Sequence, residues 1–120
     1  MIRTDNLRWL ADLPAGWHPL FTQFVEDLFA ADCSIAIAEA KEKFATLRVY
    51  LDRGSDPARR LVADMEAASA RTCQQCGQQG ELMVRDQIYA TLCAKHGAGW
   101  LKPAGQPLTS LRMRSRDENA

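Results

Sequence analysis

The chain has 120 residues, 47% hydrophobic and 25% charged, an ordinary globular composition that excludes a wholly disordered protein. Fifteen basic and fifteen acidic side chains cancel, which argues against a nucleic-acid binder working through bulk positive charge and equally against an acidic nucleic-acid mimic. At this length one domain with a modest core is expected, small enough to profit from a metal cross-link.

Residues 4–13 predict a short helix, capped by Thr4 or Asp5, with Leu7, Trp9 and Leu10 as its apolar contacts. Pro14-Ala15-Gly16 ends it. A second helix begins near Pro19, whose fixed φ suits a first helical turn. Leu20, Phe21, Phe24, Val25, Leu28 and Phe29 cover one face and Glu26 and Asp27 lie off it, the pattern of the principal core helix. The period then changes. Cys33, Ile35 and Ile37 alternate with Ser34, Ala36 and Ala38, and Ala45, Leu47, Val49 and Leu51 alternate with Thr46, Arg48, Tyr50 and Asp52, predicting two strands. The polar Lys41-Glu42-Lys43 between them predicts the turn of an antiparallel hairpin. On this pattern Cys33 is a buried, inert thiol.

Ser55-Asp56-Pro57 reads as a capped helix start. That helix should run to about residue 71, with Leu61, Val62, Met65 and Ala68 inward and Arg59, Arg60, Asp64 and Glu66 mostly outward. Residues 81–84 and 87–92 predict two more short strands around Arg85-Asp86. Gly97, Gly99, Pro103, Gly105 and Pro107 form a loop composition in which Trp100 and Leu101 pack back on the body. Residues 103–120 are expected to be a flexible basic tail. From Gln87 to Arg116 there are five basic residues (Lys95, Lys102, Arg112, Arg114, Arg116) and no acidic one, which permits a local anionic contact there. The two halves differ in pattern, so there is no internal repeat. No run approaches a membrane span and no export signal is visible. A cytoplasmic protein without membrane attachment is expected, with thiols kept reduced.

One stretch carries specific chemistry. Cys73-Gln74-Gln75-Cys76-Gly77 is answered by Cys93-Ala94-Lys95-His96, and two C-x-x-[C/H] pairs flanking a short connection are what a tetrahedral Zn²⁺ requires. Gly77 suits the inside of the first turn. Four protein ligands fill the shell, so the predicted zinc is structural. Chance thiol pairs or a redox-active CxxC are the alternative, and neither needs the matching Cys-x-x-His. The expected architecture is α+β: a small two- or three-stranded antiparallel sheet packed by two main helices. A zinc-ribbon-like hairpin over 72–97 completes a single domain of residues 1–102.

Taken together, Lys41-Glu-Lys-Phe-Ala-Thr-Leu-Arg-Val-Tyr50, Ser69-Ala-Arg-Thr-Cys-Gln-Gln-Cys-Gly77 and Thr91-Leu-Cys-Ala-Lys-His96 resemble a group of small, functionally uncharacterised bacterial and prophage proteins. The resemblance covers roughly residues 16–96, with Gly16-Trp17 near its start. It implies that Cys73, Cys76, Cys93 and His96 are metal ligands and that the setting is a mobile element; it implies no reaction. Ala45 stands where the resemblance expects Gly.

Glu39-Ala40-Lys41 with Asp27 or Asp32 fits a Mg²⁺-dependent nuclease, but a lone short motif is a weak signal and Lys41 also fits a turn. His18 and Cys33 form a nucleophilic pair only if the fold unites them. Glu81 lacks the H-x-E or C-x-E context of a deaminase. The expectation is a non-catalytic protein-interaction module that modulates a host protein or defence complex, for example as an inhibitor such as an anti-CRISPR. Trp9, Trp17, Tyr89 and Trp100 are its candidate anchors, against burial as the plainer fate of Trp17 and Trp100. The alternative is a nucleic-acid-binding zinc ribbon, using Arg71, Arg85, Lys95, Lys102 and the tail residues Arg112, Arg114 and Arg116.

Overall fold

The computed structural model describes residues 4–103. The predicted anionic-contact residues Arg112, Arg114 and Arg116 lie outside the described residues. Within them the chain is α+β, with two α-helices and two separate two-stranded antiparallel sheets. Helix α1 spans His18–Ala31 and α2 spans Asp56–Ser69; strands β1 (Ile37–Lys43) and β2 (Thr46–Leu51) form the first sheet, β3 (Glu81–Arg85) and β4 (Ile88–Leu92) the second. No helix among the described residues is long and apolar enough to cross a membrane.

The apolar stripe of α1 is buried as its spacing predicts, with Phe21, Phe24, Val25 and Leu28 inside and Glu26 and Asp27 exposed. Pro19 sits in its first turn. Helix α2 starts where Ser55 caps it, the hydroxyl accepting from Ala58 N at 3.3 Å. It ends at Ser69, about two residues earlier than its pattern suggests. The two helices pack on each other and α2 packs on β2. One core, including Trp17, Phe21, Leu28, Ile35, Leu47 and Met65, fills the space between them. A second, smaller cluster of Cys73, Ala90 and Leu92 is flanked by Met83, Cys93 and Trp100.

The first segment, Thr4–Asp12, is a 3-10 helix. In that geometry residues i and i+3 eclipse, so Asn6 and Trp9 stand in one row beside the start of β1. Asn6 Nδ2 donates to Ile35 O (3.3 Å) and its Oδ1 accepts from Ile37 N (2.8 Å), while Trp9 Nε1 donates to Ile37 O (3.3 Å). These tertiary bonds account for a helix type that local sequence does not favour over α.

The first hairpin departs from the predicted phase. Lys41-Glu42-Lys43 is not the turn but the end of β1, and β1 begins at Ile37 rather than near Cys33. Before it, Asp32 Oδ1 accepts from Ser34 N (2.9 Å) and from the Ser34 hydroxyl (2.5 Å), a side-chain turn that holds this segment out of the sheet. Cys33 is consequently exposed, not the buried thiol that alternation predicted. The turn is Phe44-Ala45, both left-handed at φ 51° and 69°, the two-residue arrangement that matches strand twist. Ala45 sits where Gly is the easier choice, and burial with two hydrogen bonds holds it there. It is buried, its N–H donates to Glu42 Oε2 (2.8 Å), and its carbonyl accepts from Thr91 Oγ1 (2.8 Å). The second hairpin is close to its prediction, its turn falling at Asp86-Gln87, one residue later. Val84 exchanges backbone bonds with Leu101 at 2.7 and 2.9 Å, so the segment after the last strand does fold back on the body.

Side chains close the outer edge of β2. Leu47 N donates to Ser69 Oγ (2.8 Å), Ser69 Oγ donates to Glu66 O (2.6 Å), and Val49 N donates to Glu66 Oε2 (3.1 Å). The buried Thr91–Ala45 bond then joins the tip of the first sheet to the second. Thr91→Val keeps the volume of the side chain but orphans the Ala45 carbonyl in a buried site. We expect urea unfolding to report a loss of about 1–3 kcal/mol, with the secondary structure by circular dichroism unchanged.

Candidate metal centre

Cys73, Cys76, Cys93 and His96 are brought together, with their ligand atoms all within 4.8 Å of one another. Cys73 Sγ lies 3.7 Å from His96 Nδ1, Cys93 Sγ lies 3.3 Å from the same nitrogen, and Cys76 and Cys93 sulfurs are 3.7 Å apart. This is a candidate metal-binding site, and it is the one group of three or more Cys, His, Asp or Glu placed for a metal among the described residues.

The same short loop builds both halves. Gly77 N donates to Cys73 O (2.9 Å) and Gly97 N donates to Cys93 O (2.8 Å), so each ligand pair is closed four residues after its first member. Inside the loops, Gln75 N points at Cys73 Sγ (3.4 Å) and His96 N at Cys93 Sγ (3.5 Å). Gly77 has φ +83°, a conformation that suits Gly best. The hairpin β3–β4 carries the chain from one loop to the other, and Gln74 ties them. Its N–H donates to Thr91 O (2.9 Å) and its side-chain oxygen accepts from Thr91 N (2.7 Å).

Sequence reasoning missed what seats this centre on the helical body. Gly16 N donates to Gln74 O (2.8 Å), and Trp17 Nε1 donates to Thr72 O (2.9 Å). A Cβ on residue 16 would stand 2.1 Å from Cys73 O and 2.6 Å from Gln74 C, so only Gly permits the contact. The signal was present as Gly16-Trp17 at the start of the resemblance, but a Gly after Pro14-Ala15 also reads as a helix stop. Trp17 is fully buried, as expected on the plainer reading, and so is no surface anchor.

Burial works against ionisation of Cys73, but backbone hydrogen bonds from Cys93, Cys76 and Gln75 and the His96 ring outweigh it and bring its pKa from 9.0 to about 6. At Cys76 a backbone hydrogen bond from Gln78 lowers the pKa. Desolvation, the neighbouring sulfurs of Cys93 and Cys73, and the charge on Cys73 prevail and raise it. The centre therefore holds one thiol readily ionised before any metal arrives and one that ionises more reluctantly than usual.

The other candidate groups are dispersed. Lys41 Nζ lies 3.5 Å from Glu39 Oε2, both about half exposed. Asp27 accepts from Gln23 (3.0 Å) on α1, and Asp32 bonds Ser34 with Arg53 at 3.8 Å. The structure does not gather these carboxylates with Glu39. His18 opens the 14-residue α1 and Cys33 lies two residues past its other end, about 20 Å away at the helical rise, and the His18 ring meets Leu13 O at 3.0 Å. The chain matches no protein-family model, no curated protein and no solved structure.

Cys76→Ser removes one of the four candidate ligands. It should abolish stoichiometric metal, measured by elemental analysis, and lower the unfolding temperature of the segment after Arg71, because affinity and local folding are linked. His96→Ala should be milder, since water replaces a nitrogen ligand more readily than a thiolate. Protons compete with the ion for the ligands. A thiol whose pKa is lowered by folding contributes stability that is complete above its unfolded value and lost as pH falls through the folded one; for Cys73 that window runs from 9.0 down to about 6. That window belongs to the metal-free thiol, and a bound ion holds the thiolate to lower pH still; acidification should release the metal with proton uptake, followed by a chromogenic chelator.

Proposed function

We propose that the chain is a zinc-stabilised, non-catalytic protein-interaction module, with a zinc-ribbon-like C-terminal hairpin. The observation that carries the reading is the convergence of three sulfurs and one imidazole nitrogen, all from protein. Tetrahedral Zn²⁺ with bonds of about 2.3 Å to sulfur and about 2.0 Å to nitrogen separates its ligands by roughly 3.5–3.8 Å. The observed separations of 3.3 and 3.7 Å are close to that spacing. Bound there, the ion supplies a cross-link and no chemistry: with every position taken by a side chain, no water is held for attack.

Support for a protein partner comes from charge and from the exposed apolar groups. Net charge is zero. Phe44, Tyr50, Ile88, Tyr89 and Leu101 are all large and exposed, so Tyr89 is accessible for the anchor role proposed for it. Trp9 and Trp100 are partly buried, Trp9 bonded to the Ile37 carbonyl and Trp100 lying under the Arg85 guanidinium at 4.5 Å. The same stacking weighs against the alternative of a nucleic-acid-binding ribbon. Arg85 is engaged by Trp100, and Lys102 faces Glu81 at 3.5 Å. The resemblance to prophage-borne proteins makes a host protein or defence complex the partner to seek, with the module as its inhibitor or modulator.

The test uses metal-loaded protein as bait and as a ligand for nucleic acid. A partner captured at equal stoichiometry by the loaded protein, and lost when a chelator strips the metal, supports the module. Salt-sensitive retention on DNA or RNA, abolished by Arg112→Ala, Arg114→Ala and Arg116→Ala together, would replace it with the nucleic-acid reading.

A further inference from the structure

The three sulfurs of the metal centre are unequal in access. Cys73 is buried, Cys93 is intermediate and Cys76 is exposed. Around Cys76 the loop is open to solvent, with Gln75, Gly77, Gln78 and Gln79 all exposed. Cys73, by contrast, is pinned from behind: its carbonyl abuts Gly16 and its N–H donates to Gln78 O at 2.7 Å. The reachable sulfur has a neighbour, since Cys76 Sγ is 3.7 Å from Cys93 Sγ. A disulfide closes that gap to about 2.05 Å, a shift of under about 2 Å on the exposed side of the site.

We propose that Cys76 and Cys93 are an oxidation-sensitive pair, and that their conversion to a disulfide by a hydroperoxide dismantles the metal centre and unclamps the C-terminal hairpin. The inference rests on the metal reading and adds to it a regulatory input. Exposure decides which sulfur an oxidant reaches; Cys76, which ionises reluctantly without the metal, is a thiolate while it ligates the ion. Its thiolate attacks hydrogen peroxide: an S–O bond forms, the O–O bond breaks, and hydroxide leaves and takes up a proton as water. The Cys93 thiolate then attacks the Cys76 sulfenic sulfur. The S–S bond forms, the S–O bond breaks, and a second hydroxide is protonated to water. In sum, two thiolates, one peroxide and two protons give one disulfide and two waters, with peroxide as the two-electron oxidant. Cys73 and His96 alone cannot complete a four-ligand shell. Because Cys73 stays docked on Gly16, the helical body keeps its shape while the hairpin loses its far anchor.

The experiment titrates hydrogen peroxide into the zinc-loaded full chain, reading released metal with a chromogenic chelator and disulfides by peptide mass spectrometry. One equivalent of peroxide should release one equivalent of metal and yield a Cys76–Cys93 disulfide, and dithiothreitol with added zinc should restore the loaded form. Cys33→Ser should behave identically, because Cys33 lies beyond the opposite end of α1 from the Gly16 contact. Metal retained under excess peroxide overturns the switch and leaves the metal centre standing. So does release with a Cys73–Cys76 or Cys33-linked disulfide, or with none. Reduced protein that binds no zinc before oxidant is added overturns both.

Discussion

The carbonyl of Cys73 occupies the place where a side chain on residue 16 would have to go. Backbone meets backbone there, and the Gly16 N–H to Gln74 O bond and the Trp17 indole bond to Thr72 O fasten the contact on either side. The described segment after α2, through the two ligand loops and the hairpin between them, takes its position from this junction. The first ligand loop is seated by it, Gln74 passes the constraint to Thr91, and Thr91 passes it to the hairpin tip at Ala45. A metal bound by Cys73, Cys76, Cys93 and His96 would therefore brace a segment already keyed to the helical body at one end. The far side, through Cys76, depends on the ion more heavily.

This chain of contacts also gives a physical meaning to short sequence segments that otherwise look unrelated. Ser69 closes the edge of β2, Thr72 receives the Trp17 bond, Thr91 holds the Ala45 carbonyl, and Glu42 holds the Ala45 N–H. Each is a small or polar residue at a joint between elements. None of them is among the four grouped Cys and His residues, and together they set where the candidate ligand loops can be.

The helices were legible because their information is local. A stripe at helical spacing and the Ser55-Asp56-Pro57 start are complete within a few residues, and both helices appear near their predicted bounds. The four residues of the candidate metal site were legible for the same reason, as paired spacings in one stretch. The first hairpin was not. Its first strand ends in Lys41-Glu42-Lys43, a polar run that reads as a turn although it belongs to the ladder. Its true turn, Phe44-Ala45, contains neither Gly nor Asn and is held by Glu42 and the distant Thr91. Cys33 was misplaced because alternation extends past Asp32 and Ser34, whose side-chain bonds end the regularity. Gly16 was read as a stop, since a close approach by residues far along the chain leaves no local trace.

The bonds at Ile37 and along β2 have a further consequence. A two-stranded sheet has two outer edges, and each is a template for a neighbouring molecule's strand. Here Ser69 and Glu66 occupy the amide groups of Leu47 and Val49, while Asn6 and Trp9 take both polar groups of Ile37. The ribbon is thereby shut along one margin and at the start of the other by side chains rather than by further strands, which guards so small a sheet against polymerising with copies of itself.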